Sequence, residues 1–167
     1  MDERRIEPDA HRALAIEVGT ALRRAGLRVA TAESCTGGLI AGTITEVAGS
    51  SAWFERGFVT YSNEAKIEML GVWPATLARH GAVSEATAAE MARGAIDHSR
   101  ADLSVAVTGV AGPDGGTAAK PVGTVCFAWA RRGGGVDVAT RRFPGGRADV
   151  RAATVRAALQ GLLDRSN

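Results

Sequence analysis

LRVATAESCTGGLIAGTITEV, residues 27–47, is the stretch on which the reading of this chain turns. Leu27 to Ala32 reads as a short buried strand, and Thr36 to Val47 as a helix that begins on the glycine pair Gly37-Gly38. The segment is therefore a strand-to-helix turn. It also carries Ser34, Cys35 and Thr36 side by side behind Glu33, which raises the question of which of three neighbouring nucleophiles attacks, if any does.

Working outward, Pro8 and Asp9 open a helical pattern in which Ala10, Leu14, Val18, Ala21, Leu22 and Ala25 recur at three- and four-residue spacing until Gly26 ends it. Downstream, Gly57–Ser62 has the β-branched and aromatic character of a strand. Asn63 is the expected N-cap of a helix over Glu64–Leu70, closed by Gly71. A short helix is expected at Pro74–Arg79. Ser84 caps a longer one with Ala88, Met91, Ala92, Ala95 and Ile96 on its apolar face. Leu103–Val107 reads as a central strand running into the loop Thr108–Lys120. Val122–Ala130 and Val136–Phe143 read as a hairpin about the turn Arg131–Gly135, and Ala148–Leu163 as a last helix bearing Val150, Ala153, Ala157 and Leu162. This order predicts a three-layer α/β/α domain over residues 1–167, with a mixed, mostly parallel sheet and an antiparallel edge hairpin. Functional loops are then expected at the strand ends near Glu33, Ser62 and Thr108.

A chain of 167 residues suits one domain. An apolar fraction of 46% beside 23% charged residues is that of an ordinary globular protein. The net charge is +2, and aromatic residues at 5% leave little to stack on bases, so nucleic acid is not an expected partner. No apolar run reaches membrane-spanning length, and the first residues, MDERRIEPDA, are too charged for a secretory signal; a cytoplasmic protein is expected. Cys35 and Cys126 form no CxxC pair and have no histidine at metal-ligand spacing, so neither a disulfide framework nor a metal site is indicated.

Unpaired amides and the dipole at a helix start let the turn Ser34–Gly38 hold an anion or a developing oxyanion, and the two glycines admit close approach. The same turn also reads as no more than a capped helix. Lys66 falls in the first turn of its helix, where the dipole disfavours a cation; partial burial would lower its pKa toward use as a base, whereas a solvent-pointing lysine would be inert. Tyr61, the one tyrosine, has a hydroxyl that either packs or relays a proton. A serine needs a base. His11, His80 and His98 all lie on predicted helices away from the strand ends, so a Ser-Lys pair is preferred, which also tells against Cys35. Loop 108–116 could wrap a ribose or phosphate, and Arg147 is a candidate phosphate clamp.

Five ordered motifs, TAESCTGG (31–38), AGSSAWFERGFVTYSNEAK (48–66), GAVSE (81–85), TGVAGPDGG (108–116) and KPVGTV (120–125), strongly resemble the CinA C-terminal domain family. The resemblance implies hydrolysis of the carboxamide of nicotinamide mononucleotide to nicotinate mononucleotide and ammonia, without cofactor or metal. It places the nucleophile on Ser34, the lysine on Lys66 and the tyrosine on Tyr61. Cys35 and Thr36 then supply backbone amides or substrate contacts, and amides of the following helix turn the oxyanion site. The implied substrate-binding set is completed by Glu33, Gly37, Gly38, Asn63, Thr108, Gly109, Gly112 and Arg147, with a homodimer as the expected assembly. Many relatives carry a further N-terminal domain, and this chain resembles the standalone deamidases. The alternative is a non-catalytic nucleotide-binding regulatory module.

Overall fold

β1 (Val29–Glu33) lies within the sheet, buried along its whole length, in the computed structural model, which describes residues 6–167. Around it the chain runs α1 (Ile6–Ala25), β1, α2 (Leu39–Thr45), β2 (Phe54–Val59), α3 (Asn63–Leu70), α4 (Pro74–His80), α5 (Glu85–Asp97), β3 (Leu103–Gly109), β4 (Thr124–Arg131), β5 (Val136–Arg142) and α6 (Arg147–Asp164), with a 3-10 turn at Ser50–Ala52. The sheet order is β2-β1-β3-β4-β5. β1 is parallel to β2 and to β3, whereas β3/β4 and β4/β5 are antiparallel. Four strands thus share one direction and β4 opposes them, so the mixed sheet with an antiparallel edge hairpin is as expected. Because β1 has its sequence neighbour β2 on one side and β3 on the other, the winding reverses there. A crevice opens outside the carboxyl ends of β1 and β3.

Strand alternation divides the core into two unlike layers. Val29, Val105, Val107, Val125, Phe127 and Trp129 face α1, α2 and α6, where they meet Val18, Leu22, Ile40, Leu159 and Leu162. Ala30, Ala32, Ala106, Ala128 and Ala130 face α5, which answers with Ala88, Met91, Ala92 and Ala95. Small residues on both sides let α5 lie close to the sheet, and Ser104 Oγ there donates to the carbonyl of Ala92 at 2.7 Å.

The differences from the sequence reading have local causes. α1 already covers Ile6, upstream of Pro8; residues 1–5 of the charged leading segment lie outside the described residues. α2 begins at Leu39 instead of Thr36, because Gly37 (φ 57) and Gly38 (φ 105) both take positive φ and extend the turn. β2 occupies 54–59, not 57–62, since it can pair only as far as β1 reaches: the register ends at Val59 opposite Glu33. Thr60–Ser62 then leave the sheet. Ser62, not Asn63, caps α3, its side chain accepting from the Ala65 amide at 3.0 Å. Among the described residues no helix is long and apolar enough to cross a membrane, and no three metal-binding side chains cluster.

Candidate active site

Ser34 follows directly on β1 and is still tied to the sheet, its amide donating to the carbonyl of Val107 at 3.1 Å. Across the crevice, the departure of residues 60–62 from β2 turns three carbonyls inward. Lys66 Nζ meets all of them, at 2.9 Å (Thr60), 3.1 Å (Tyr61) and 3.5 Å (Ser62), and stands 3.0 Å from Ser34 Oγ. Lys66 is 1% exposed. The residues lining the cleft, of ≈ 190 Å³, include Ser34, Cys35, Tyr61, Asn63, Lys66, Thr108, Gly109 and Arg147, and none is acidic. A larger cavity of ≈ 370 Å³ between β5 and α6 has no serine, cysteine, threonine or lysine on its walls.

Burial without a carboxylate partner holds the Lys66 ammonium below its usual pKa. A neutral amine has two donors and one lone pair. With the donors on the Thr60 and Tyr61 carbonyls, the lone pair is left to face the Ser34 hydroxyl 3.0 Å away. Cys35 points into the core, where desolvation above all pushes its thiol up to about 11, so it stays protonated near neutral pH. Thr36 is fully buried, its hydroxyl donating to Glu33 Oε1 at 2.5 Å. Of the three neighbours, Ser34 is the one whose hydroxyl lies against Lys66 on the cleft.

Several expected site residues hold other posts. Glu33 is fully buried, and its carboxylate accepts the amides of Ile40 (2.9 Å) and Ala41 (3.0 Å), so it caps α2 and does not reach the cleft. Those helix amides are thereby taken and are not available to an oxyanion. The amides left over belong to the turn itself: neither Cys35 nor Thr36 donates to a backbone carbonyl among the described residues. Gly37 and Gly38 shape the turn without lining the cleft. Tyr61 is 63% exposed, beyond the end of β2, and its hydroxyl meets Arg147 at 3.4 Å; its carbonyl, not its hydroxyl, touches Lys66. Thr108 lines the wall, with its hydroxyl donating to the Ala82 carbonyl at 2.9 Å. Gly112 lies behind, its carbonyl accepting from Arg147 at 2.9 Å. Asn63, Gly109 and Arg147 are on the cleft as expected.

Two features escaped the sequence reading. Ala82, Val83 and Ala111 form the apolar wall; they lie inside the motifs GAVSE and TGVAGPDGG but were not singled out as site residues. Arg151 donates to the carbonyls of Cys35 (3.2 Å) and Thr36 (3.3 Å) from one helical turn beyond Arg147, and that i, i+4 arginine pair was a legible signal.

The family model for the CinA C-terminal domain matches residues 11–166. Nicotinamide-nucleotide amidohydrolase PncC of Escherichia coli strain K12 is 59% identical over 152 residues, spanning 89% of this chain and 90% of that protein. The protein of the same name from Pseudomonas putida is 55% identical over 150 residues, spanning 90% and 93%. Among solved structures, competence/damage inducible protein CihA from Agrobacterium tumefaciens aligns with TM-score 0.92 at 53% identity, covering 94% of this chain and 96% of that one.

Proposed function

This chain belongs to the CinA C-terminal domain family, and we propose that it hydrolyses the carboxamide of nicotinamide mononucleotide through Ser34 and Lys66. The relatives' activity supports the substrate. The observation that carries the mechanism is a buried lysine amine, without an acid beside it, 3.0 Å from a serine hydroxyl.

Neutral Lys66 takes the Ser34 proton as Oγ bonds to the carboxamide carbon. Amides of the Cys35-Thr36 turn hold the oxyanion. Collapse breaks the C–N bond, Lys66 returns its proton to the departing ammonia, and the acyl group remains on Ser34 as an ester. Water, deprotonated by the same amine, attacks that ester and releases nicotinate mononucleotide. The pyridinium ring of the substrate is itself a cation, so its arrival beside Lys66 further favours the neutral amine. Arg147, exposed at the rim, is the candidate partner for the phosphate, with Asn63, Thr108 and Gly109 on the remaining walls. The domain, residues 1–167, works as a cytoplasmic homodimer; two free buried cysteines fit a reducing compartment.

Ammonia release from nicotinamide mononucleotide by the purified protein, run beside Ser34→Ala, tests the reading. Turnover by the wild type alone is the expected result. A folded wild type that binds the nucleotide without releasing ammonia would instead make it a binding module.

A further inference from the structure

Resting on the serine-lysine reading above, we propose that Arg151 is a positioning residue that fixes the Cys35-Thr36 turn whose amides receive the oxyanion. The amides of the nucleophile turn can be taken one by one. Ser34 N–H donates to Val107 O, and Gly37 N–H to Ser34 O at 3.1 Å. The N–H groups of Cys35, Gly38 and Thr36 have no hydrogen-bond acceptor among the described residues, and of these Thr36 N–H is the one whose plane Arg151 holds. Its peptide plane is shared with the Cys35 carbonyl, and that carbonyl is held by Arg151 Nε at 3.2 Å, while Nη2 of the same guanidinium holds the Thr36 carbonyl at 3.3 Å.

A peptide plane pinned at its carbonyl cannot rotate its N–H freely, and a cation on the oxygen polarises the N–H at the other end. The guanidinium therefore acts on the reaction through the peptide bond, without touching the substrate. Arg151 makes no ion pair with an acid among the described residues, so its charge is not spent elsewhere. Its place is also costly for the helix. Arg147 and Arg151 occupy the first turns of α6, the end where cations are disfavoured and where Asp149 caps the Gly146 amide at 2.8 Å. Arginine at 151 is accounted for by its two carbonyls, not by the stability of its own helix.

The test uses the full chain carrying Arg151→Met and Arg151→Lys, with two readouts. One is ammonia release. The other is phosphonylation of Ser34 by a small fluorophosphonate, followed by mass spectrometry: the Ser34 Oγ–P bond forms, fluoride leaves, and the phosphoryl oxygen takes the oxyanion position whatever the natural substrate is. Arg151→Met is expected to lower both kcat and the phosphonylation rate by about tenfold or more, less than the roughly 10²–10³ of deleting an oxyanion donor outright. KM should stay within about threefold, since the loss is confined to the transition state. Arg151→Lys, able to hold one carbonyl at a time, should fall between, and added guanidinium should restore part of the Arg151→Met rate. Wild-type phosphonylation rates in both variants would overturn the inference, as would a rise in KM with kcat intact. If Arg151→Met does not fold, the Arg151→Lys rates decide by the same criteria. Wild-type protein that is phosphonylated at Ser34 but releases no ammonia would sink the substrate assignment and leave the role of Arg151 standing or falling on the phosphonylation rates.

Discussion

A lysine among carbonyl oxygens, with no acid beside it, is a poor arrangement for stability and a good one for moving a proton. Burial disfavours the Lys66 ammonium, so the neutral base is populated at lower pH than in a solvent-exposed lysine. Activity should therefore rise with pH, with an inflection below the ordinary lysine value of 10.5, as the pH profile of kcat/KM would report. Lys66→Arg keeps the charge but cannot give up its proton, and should lose about 10²–10⁴ in kcat. Stability is linked to the same shift. Between the lowered native pKa and 10.5 the unfolded chain binds the proton that the native chain has released, so wild-type stability rises with pH across that window. Thermal melts of wild type and Lys66→Met should accordingly shift in favour of the wild type as the pH is raised toward 10.5; a pH-independent difference would contradict the depressed pKa.

At the scale of the element, α2 is short, with seven residues, and has no side-chain cap of its own, since Gly38 stands at its N-cap. Glu33, the last residue of β1, supplies the missing acceptors from the neighbouring strand. Strand, turn and helix are thus closed into one unit by a single carboxylate, which also fixes the Thr36 hydroxyl. Glu33→Gln removes the charge that complements the helix end and one of its acceptor oxygens. It should cost about 1–3 kcal/mol in urea denaturation. Because the turn bears Ser34, kcat should fall with it, although Glu33 does not line the cleft. An unchanged midpoint would show that the cap carries no stability.

Over the whole molecule, Lys66 and Ser34, the proposed base and nucleophile, sit on elements that meet only because the layers pack. Lys66 rides on α3, whose last residue, Leu70, lies against Gly94 of α5 so tightly that a Cβ at 94 would strike the Leu70 carbonyl. Gly94→Ala should therefore destabilise by about 1–3 kcal/mol, although alanine is the better helix former. A calorimetric melt would read this, with lower kcat as α3 shifts; a higher Tm would show that the contact is loose. The identity of most elements was legible beforehand. Periods of 3.6 and 2, Ser84 as a cap and the glycine-rich turn at 131–135 are local signals, and the strand-turn-helix at 27–47 was visible as such. Ser34 and Lys66 were also legible, as residue types near strand ends. The rest was settled at long range. That Ser62 and not Asn63 caps α3 follows from where β2 runs out of partner on β1. That Tyr61 offers Lys66 its carbonyl, that Glu33 caps a helix and that Arg151 grips the turn after Ser34 from 116 residues away are facts of the folded chain. Sequence by itself determined which groups were available, because propensity and periodicity act between near neighbours. Only the tertiary structure decided what each group does, because burial and hydrogen-bond partners are set by the layers that close around it.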